Sequence, residues 1–528
     1  MNLAAKIVYV SACLAMGATC AFNVRFHLHM LQLSSYRPER YLDWLKRNFK
    51  KLIPNLILLV AADLVTILIE LRPDKNLSFA LAAFLLAIFF GVFLLVFKAP
   101  KAKKPLDFTA RAKRLFGTAL FFPLAAMIGA YFLIPHRGAI VLTGSLCAAG
   151  PLLLFLSLGL NTPIDKMIYN KYFKMAQRKL ADSNAVTIGI TGSYGKTSTK
   201  YILGRLLSEH FNTLITPESK NTPMGVAKVI NDDLRATTEV FVAEMGAACV
   251  GDIAELCRLT NPVFGVISAI GEQHLKTMGS LENIISTKFE LADAVEQAGG
   301  TMFLNYDNPY ISAHGSKAKT IKYGLEAEGL DFRADGIKAD QNGIRFTIHH
   351  PGGEFDVHTK LLGRHNVINI LAAVAVCAEF GLDPKKTAGA IAKLEPVPHR
   401  LEMHKNPFGL TVIDDAYNSN PAGAAAALEA LSWFDAMKIA VTPGMVELGA
   451  KEDKENYRLG ENAAKVCDLL ILVGGKRADA IYDGAIAAGL AKDKIIRVET
   501  FKEAKEIFNR YASQKAVVLL ENDLPDNY

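Results

Sequence analysis

The chain has 528 residues and a formal charge of +7 at pH 7, a length that accommodates about three or four domains. The charge is modest for that length and arginines are not interleaved with aromatic residues, which excludes a nucleic-acid platform. Hydrophobic residues make up 51% of the chain, with the excess before residue 161, so the basic residues flanking those segments are expected to meet anionic lipid rather than nucleic acid. The 7 cysteines contain no Cys-x-x-Cys, so reduced, mostly buried thiols are expected rather than zinc sites or disulfides.

In chain order the first elements are apolar. Leu3–Phe22, Leu52–Leu71, Leu77–Phe97, Leu115–Ile134 and Gly138–Leu160 each reach the roughly 20 residues that a bilayer-spanning helix needs. A cleaved signal peptide does not account for the first, because four more follow it. Basic residues such as Lys46, Lys101 and Lys171 crowd the segments after the first, third and fifth stretches, while Arg72–Asn76 and Pro135–Arg137 are short and weakly charged. The positive-inside rule then predicts an N-terminus outside and everything after Leu160 in the cytoplasm, as in a multi-pass protein of the cytoplasmic membrane. Asp63 would lie mid-span and Glu70 near a span's end, as functional acids or as structural partners of other helices. Leu31–Trp44, with Tyr36, Tyr41 and Trp44 among arginines, reads as an interfacial helix.

Residues 186–207 change character. Val186–Ile190 reads as a buried strand and Lys200–Leu207 as an amphipathic helix, with Thr191-Gly-Ser-Tyr-Gly-Lys-Thr-Ser198 between them. Small residues there let backbone N–H groups turn toward an anion, and the helix N-terminus adds its positive end. In such a cradle Lys196 supplies charge to the outer phosphates and Thr197 a hydroxyl for Mg²⁺. The spacing departs from the common P-loop: Ile190 stands where that pattern has its first glycine.

Short β-rich runs and helical patterns then alternate, which predicts an α/β sheet. Val240–Glu244 ends on an acid, and Val263–Ile270 runs into Gly271 and His274. Since ligands of open parallel sheets lie at the carboxyl ends of strands, Glu244 and His274 are placed to face what the loop holds. Thr301–Leu304 is a further strand. Ile344–Ile348 and Glu354–Val357 alternate around Pro351-Gly-Gly and read as a hairpin insert, with His349 and His350 on its surface. After Arg400 the pattern restarts: strands at Leu410–Ile413, Lys438–Thr442 and Leu469–Val473, helices in Ala422–Trp433 and around Tyr457–Val466.

These strings together resemble the Mur ligase family, and most its D-alanyl-D-alanine-adding branch. The resemblance rests on the 191–198 loop, Glu244-Met-Gly-Ala247, His274-Leu, Ser286-Thr-Lys-Phe-Glu290, Asn305 with Asp307, Gly363-Arg-His-Asn366, Arg400, Asp414-Asp-Ala-Tyr-Asn418 with Asn420-Pro421, and Met445-Val-Glu-Leu-Gly449, in the family's order. It implies an ATP-dependent ligase that activates a carboxylate as an acyl phosphate for attack by an amino-acid or dipeptide amine, in envelope-precursor synthesis.

The resemblance also implies roles. Gly192, Ser193, Gly195, Lys196, Thr197, Ser198 and Asn221 would surround the phosphates. Thr197 and Glu244 would bind one Mg²⁺, and His274 with Lys288, a lysine often carbamylated in this family, a second. Asn305, Asp307 and Asn366 match adenosine contacts; Arg400 and Asp414 match groups reaching ATP from the next domain. Lys196, Lys288, His274 and Arg400 form the expected catalytic set. The expected architecture is an α-helical membrane region (1–162), then an α/β part comprising a P-loop-type ATPase domain (163–400) and a Rossmann-like C-terminal domain (401–528). Expected partners are ATP, Mg²⁺, a carboxylate precursor, an amine and the lipid bilayer.

Four features depart from the branch. The spans occupy the place of its UDP-binding domain, Thr442-Pro-Gly444 precedes Met445, and the chain ends Glu521-Asn-Asp-Leu-Pro-Asp-Asn-Tyr528. His399 precedes Arg400 where glycine is common. A polyglutamate-type polymerising ligase and a nucleotide-gated transport protein are the alternatives. The first is disfavoured by the complete C-terminal domain, the second by the lack of a transporter signature motif.

Overall fold

A computed structural model of the protein describes residues 3–34, 36–50, 105–133, 149–217, 220–272, 275–417, 419–446 and 448–522, and two isolated positions, 52 and 88. The chain divides into two compact units, Met1–Tyr169 with Pro525–Tyr528, and Asn170–Leu524.

The first unit is helical, with α1 (Leu3–Leu33), α2 (Ala110–Leu133) and the first part of α3 (Gly150–Ala181). Val24, Leu28, Leu31, Tyr41, Leu115 and Leu154 form its core. Polar bonds run between these helices: Ser157 Oγ donates to the Leu115 carbonyl (2.8 Å), Asn161 Nδ2 to Thr118 Oγ1 (3.0 Å), and Arg111 and Arg114 both hold Asp165 (2.8 and 2.6 Å). Burial pushes the His27 imidazole down to about 3, and its Nδ1 lies 2.9 Å from the Tyr41 hydroxyl.

This unit corrects the expected membrane region and, with it, the multi-pass location and the bilayer as a partner. Among the described residues no helix is long and apolar enough to cross a membrane. The physical reason is visible in α3, whose Ser157, Asn161 and Asp165 are bonded to α2, so its side chains there pack against a neighbouring helix. Tyr41, expected at a lipid interface, is fully buried and stacks on Trp44 at 6.1 Å. The stretches 52–71 and 77–97 apart from positions 52 and 88, most of the 138–149 segment, and Asp63 and Glu70 lie outside the described residues.

The second unit holds two sheets. The first contains β1 (Val186–Thr191), β2 (Thr213–Ile215), β3 (Val240–Glu244), β4 (Phe264–Ile267), β5 (Thr301–Asn305), β6 (Lys319–Gly324), β7 (Phe332–Asp340), β8 (Gly343–His350) and β9 (Gly353–Thr359), in the order β2-β3-β1-β4-β5-β6-β7-β8-β9. Pairing is parallel from β2 to β7 and antiparallel from β7 to β9. Side chains alternate across a strand, and both faces are covered. Ile188, Ile190 and Val242 meet α4 (Lys196–Leu207) and Phe303 on one side. Phe241, Ala243 and Met302 meet α5 (Pro223–Asp233), α6 (Asp252–Thr260) and α7 (Leu281–Gln297) on the other. The alanine-rich α8 (His365–Glu379) joins the first layer. The predicted hairpin is present, but with β7 it extends the main sheet at its edge rather than forming an insert.

The second sheet has β10 (Glu402–Lys405), β11 (Thr411–Asp415), β12 (Met437–Thr442), β13 (Leu469–Val473), β14 (Ile495–Val498) and β15 (Ala516–Glu521), in the order β10-β11-β15-β12-β13-β14. Only β10 is antiparallel. Helices α9 (Pro421–Ser432) and α10 (Glu452–Ala464) contribute Ala427, Leu431 and Leu459 to one core. Strand β1 sits where the order of the first sheet reverses: the chain leaves it for β2 on one side and later reaches β4 on the other. That reversal opens a crevice at the strands' carboxyl ends.

Candidate active site

The loop from β1 into α4 occupies that crevice, and the chain around it explains its small residues. Gly192 has φ +152°, and a Cβ there would sit 2.3 Å from Ser268 Oγ and 3.0 Å from the Ala269 carbonyl. Gly195 caps α4 at φ +81°, a region glycine enters without strain. The predicted strand 263–270 stops at Ile267 because the next residues bind the loop instead. The Ser193 N–H donates to the Ala269 carbonyl (2.6 Å), and Ser268 Oγ donates to the carbonyls of Tyr194 (2.5 Å) and Thr191 (3.2 Å). Ser193 Oγ closes the wall by donating to Gly271 O (3.0 Å) and accepting from Gly271 N–H (3.1 Å).

At the first turn of α4, Lys196 Nζ folds over the loop and donates to the carbonyls of Gly192 (2.7 Å) and Ser193 (3.1 Å). Glu244, at the carboxyl end of neighbouring β3, is 2% exposed. One of its oxygens, Oε1, accepts from Thr197 Oγ1 (3.3 Å) and Asn221 Nδ2 (3.0 Å); the other, Oε2, is bound by Lys200 Nζ at 2.8 Å. Burial alone would raise this carboxyl, but Lys200 and Asn221 outweigh it and hold it below the usual range. Burial pushes the Lys196 ammonium down to about 8, with Glu244 opposing and Arg400 adding to the shift. Lys288, on α7 and buried, is pushed down to about 7, first by burial and then by the charge of Lys196, with Asp252 and Glu290 opposing. Lys196 and Lys288 thus feel each other across one site.

The structure therefore brings together the loop residues, Asn221, Glu244 and Lys288, with Arg400 close enough to act on Lys196. Ser198, Asn305 and Arg400 line a cleft of about 160 Å³ with Gly195, Asn369 and Asp415. Asn366 stands behind it: its Oδ1 accepts from Asn369 Nδ2 (3.1 Å), and Asn369 Oδ1 accepts from Thr199 Oγ1 (3.1 Å). Asp307 is committed elsewhere, its carboxylate accepting the N–H groups of Leu325, Glu326 and Ala327 at 2.6–3.0 Å. Asp414 Oδ2 lies 2.8 Å from His399 Nδ1. His274 lies outside the described residues.

Sequence reasoning missed Lys200. It is fully buried on the Glu244 carboxylate, and its position four residues after Lys196 puts both on one face of α4, a signal that was available. It also missed Asn369 and Asp415 on the cleft wall.

The donor set suits a nucleotide and its metal. Glu244 Oε1 and the Thr197 hydroxyl are hard oxygen donors meeting at the helix start, the chemistry Mg²⁺ prefers. The N-terminus of α4 and Lys196 are the complement of a phosphate.

Comparison with known proteins agrees with this geometry. The Mur ligase middle domain model matches residues 190–377, and the model of the Mur ligase, glutamate ligase domain matches 399–521. The chain is 34% identical over 325 residues to the UDP-N-acetylmuramoyl-tripeptide--D-alanyl-D-alanine ligase of Mycobacterium bovis, covering 59% of this chain and 63% of that protein. It thus spans less than two thirds of that relative's length. The enzyme of the same name from Bacillus subtilis is 30% identical, with 66% of this chain and 75% of that protein covered. The MurF ligase of Thermotoga maritima, solved in complex with ADP, superposes with a TM-score of 0.58 at 27% identity, covering 67% of this chain and 80% of that one.

Proposed function

Since the chain belongs to the Mur ligase family, we propose that it is an ATP-dependent acid–amino-acid ligase of peptidoglycan-precursor synthesis. In this reading it activates a precursor carboxylate as an acyl phosphate and passes it to an amine. The observation that carries the proposal is the meeting of the phosphate loop, Glu244 with Thr197 and Asn221, and buried Lys288 at the carboxyl ends of β1 and β3. Two anions, ATP and a carboxylate, must approach each other there, and fixed cations offset their repulsion. Lys196 leaves the loop carbonyls for the outer phosphates, and Arg400 neutralises charge from the far side of the cleft. Thr197 and Glu244 would hold Mg²⁺, which when bound would supply Lewis acidity to the phosphate oxygens.

Burial and the charge of Lys196 lower the Lys288 ammonium, which favours the neutral amine, the form that reacts with carbon dioxide. Carbamylated, Lys288 would offer an anionic ligand to a second Mg²⁺, with His274 as the other proposed ligand. Asn305, Asn366 and Asp307 form the adenosine side, Asp307 by shaping the 325–327 turn, while Asp414 meets the nucleotide from beyond Arg400. The catalytic domains are assigned to 163–400 and 401–528.

The relatives' names propose the substrates: a UDP-N-acetylmuramoyl-tripeptide as the carboxylate and D-alanyl-D-alanine as the amine. The test is phosphate release with ATP and Mg²⁺. Turnover should require both substrates together, yield a product heavier by one dipeptide less one water, the oxygen leaving with phosphate, and vanish in Lys196→Ala. Turnover without the amine, or retained in that variant, overturns the assignment.

A further inference from the structure

Beyond the nucleotide site, the carboxyl edge of the second sheet carries two buried acceptor atoms that no donor among the described residues meets. Strands β11 and β15 are parallel neighbours, and Asp415 is paired in register with Glu521, so both side chains lie on one face of the sheet at its carboxyl end. Glu521 is 2% exposed; Oε1 accepts the Ser419 hydroxyl, while Oε2 is buried with no hydrogen-bond partner among the described residues. Asn522, whose N–H donates to the Asp415 carbonyl at 3.3 Å, also has a buried Oδ1 that no described residue meets. Asp415 Oδ1 accepts the Leu401 N–H at 3.1 Å, and the residue lines the same cleft as Gly195, Ser198 and Arg400.

The charge balance is unfavourable as it stands. Arg400 relieves Asp415 but also lies 4.5 Å over the Tyr417 ring, and among the described residues no cation pairs with Glu521. A buried carboxylate without a counter-charge is costly. The two unmet atoms are acceptors beside a pair of acids, so their complement is a donor that carries positive charge.

We propose that Asp415 and Glu521 form the anchor for the ammonium group of the incoming amine, holding it at the cleft that the phosphate loop and Arg400 also line. This rests on the ligase reading and adds the place where its second substrate is recognised. The raised protonation of both carboxyls, Asp415 to about 6 and Glu521 well above the usual range, is the response expected of an acid pair waiting for a cation; burial is the main cause in both, and the Asp415 charge adds to it at Glu521.

The test removes the charge from each partner in turn. D-alanyl-D-alanine and N-acetyl-D-alanyl-D-alanine are titrated calorimetrically into the ADP-bound full chain and into Glu521→Gln, which keeps the side chain's size. In the unmodified protein acetylation should weaken binding about tenfold or more, the scale of a lost charged hydrogen bond. In the variant the two peptides should bind alike. Should the variant not fold, Asp415→Asn enters the same cycle. Equal loss on acetylation with and without the carboxylate overturns the anchor, as does no loss in the unmodified protein. A protein that turns over the dipeptide yet shows either pattern remains a ligase without this anchor. One that binds neither peptide overturns the acceptor proposed above, and the anchor with it.

Discussion

Lys200 shows how much of this site depends on one buried charge. It and Glu244 are almost wholly removed from solvent, with Nζ and Oε2 at 2.8 Å, and losing one partner of such a pair costs about 3–5 kcal/mol because the other is left unpaired. The geometry assigns the two carboxylate oxygens different tasks. Oε2 is fixed by Lys200, so Oε1, facing Thr197 and Asn221, is the oxygen left for a metal. Lys200→Met should therefore lower the thermal midpoint in EDTA, and added Mg²⁺ should restore much of the loss, because the ion replaces the missing charge. The unmodified protein should respond to Mg²⁺ far less. Equal Mg²⁺ responses in the two proteins, followed by differential scanning fluorimetry, would count against this division of labour. At this scale the loop and Glu244 were readable, since a strand, a glycine turn and Lys-Thr in series have a local meaning. The commitment of Asp307 to the 325–327 turn was not, because its partners are distant in sequence. His399 is similar: it holds φ +59°, a region that favours glycine, and its Nδ1 contact with Asp414 and its N–H bond to Glu402 (3.0 Å) help to hold it there.

Elements were legible where a local pattern decides them. Buried parallel strands read as short β-branched runs, and β3 and β13 coincide with their predicted ranges. Strand β4 is shorter than its apolar run, because Ser268 and Ala269 spend their backbone groups on the phosphate loop. Caps give the sharpest element-level test. Asn420 opens α9 with its Oδ1 accepting the Gly423 N–H at 2.9 Å, and Pro421 follows at the first helical position, where its missing N–H costs nothing. Replacing such a cap by alanine costs about 1 kcal/mol. Asn420→Ala should lower the denaturation midpoint accordingly, and Asn420→Asp, which keeps an acceptor, should recover most of it. Because Asn420 also lines the cleft, nucleotide affinity should be measured alongside. A fall in affinity with no change in midpoint would mean that the residue serves the ligand rather than the helix.

At the scale of the whole molecule, hydropathy and packing gave opposite readings of the same residues. Apolar composition before residue 161 cannot separate a helix that faces lipid from one that faces other helices. The polar cross-links Ser157–Leu115, Asn161–Thr118 and Arg111/Arg114–Asp165 are contacts between elements, and no sliding window sees them. The division at Tyr169–Asn170 falls inside α3, and the part of that helix beyond it is built into the second unit. Ala176 and Leu180 pack with Val226, Ile230 and Leu256, Lys179 Nζ donates to the Asn231 carbonyl (2.8 Å), and Gln177 Nε2 to that of Arg258 (2.7 Å). All described residues of the proposed nucleotide site lie between Asn170 and Leu524, in a unit with its own cores on both faces of each sheet. A chain beginning at Asn170 should therefore fold and bind ADP with a Kd within about threefold of the full-length value, a difference under 1 kcal/mol. Starting instead after Ala181 removes the α3 contacts and should lower the thermal midpoint while leaving the loop residues unchanged. If the Asn170 fragment is folded by circular dichroism yet does not bind ADP, the first unit contributes to the nucleotide site directly. If both fragments unfold alike, the end of α3 is not the strut its contacts describe.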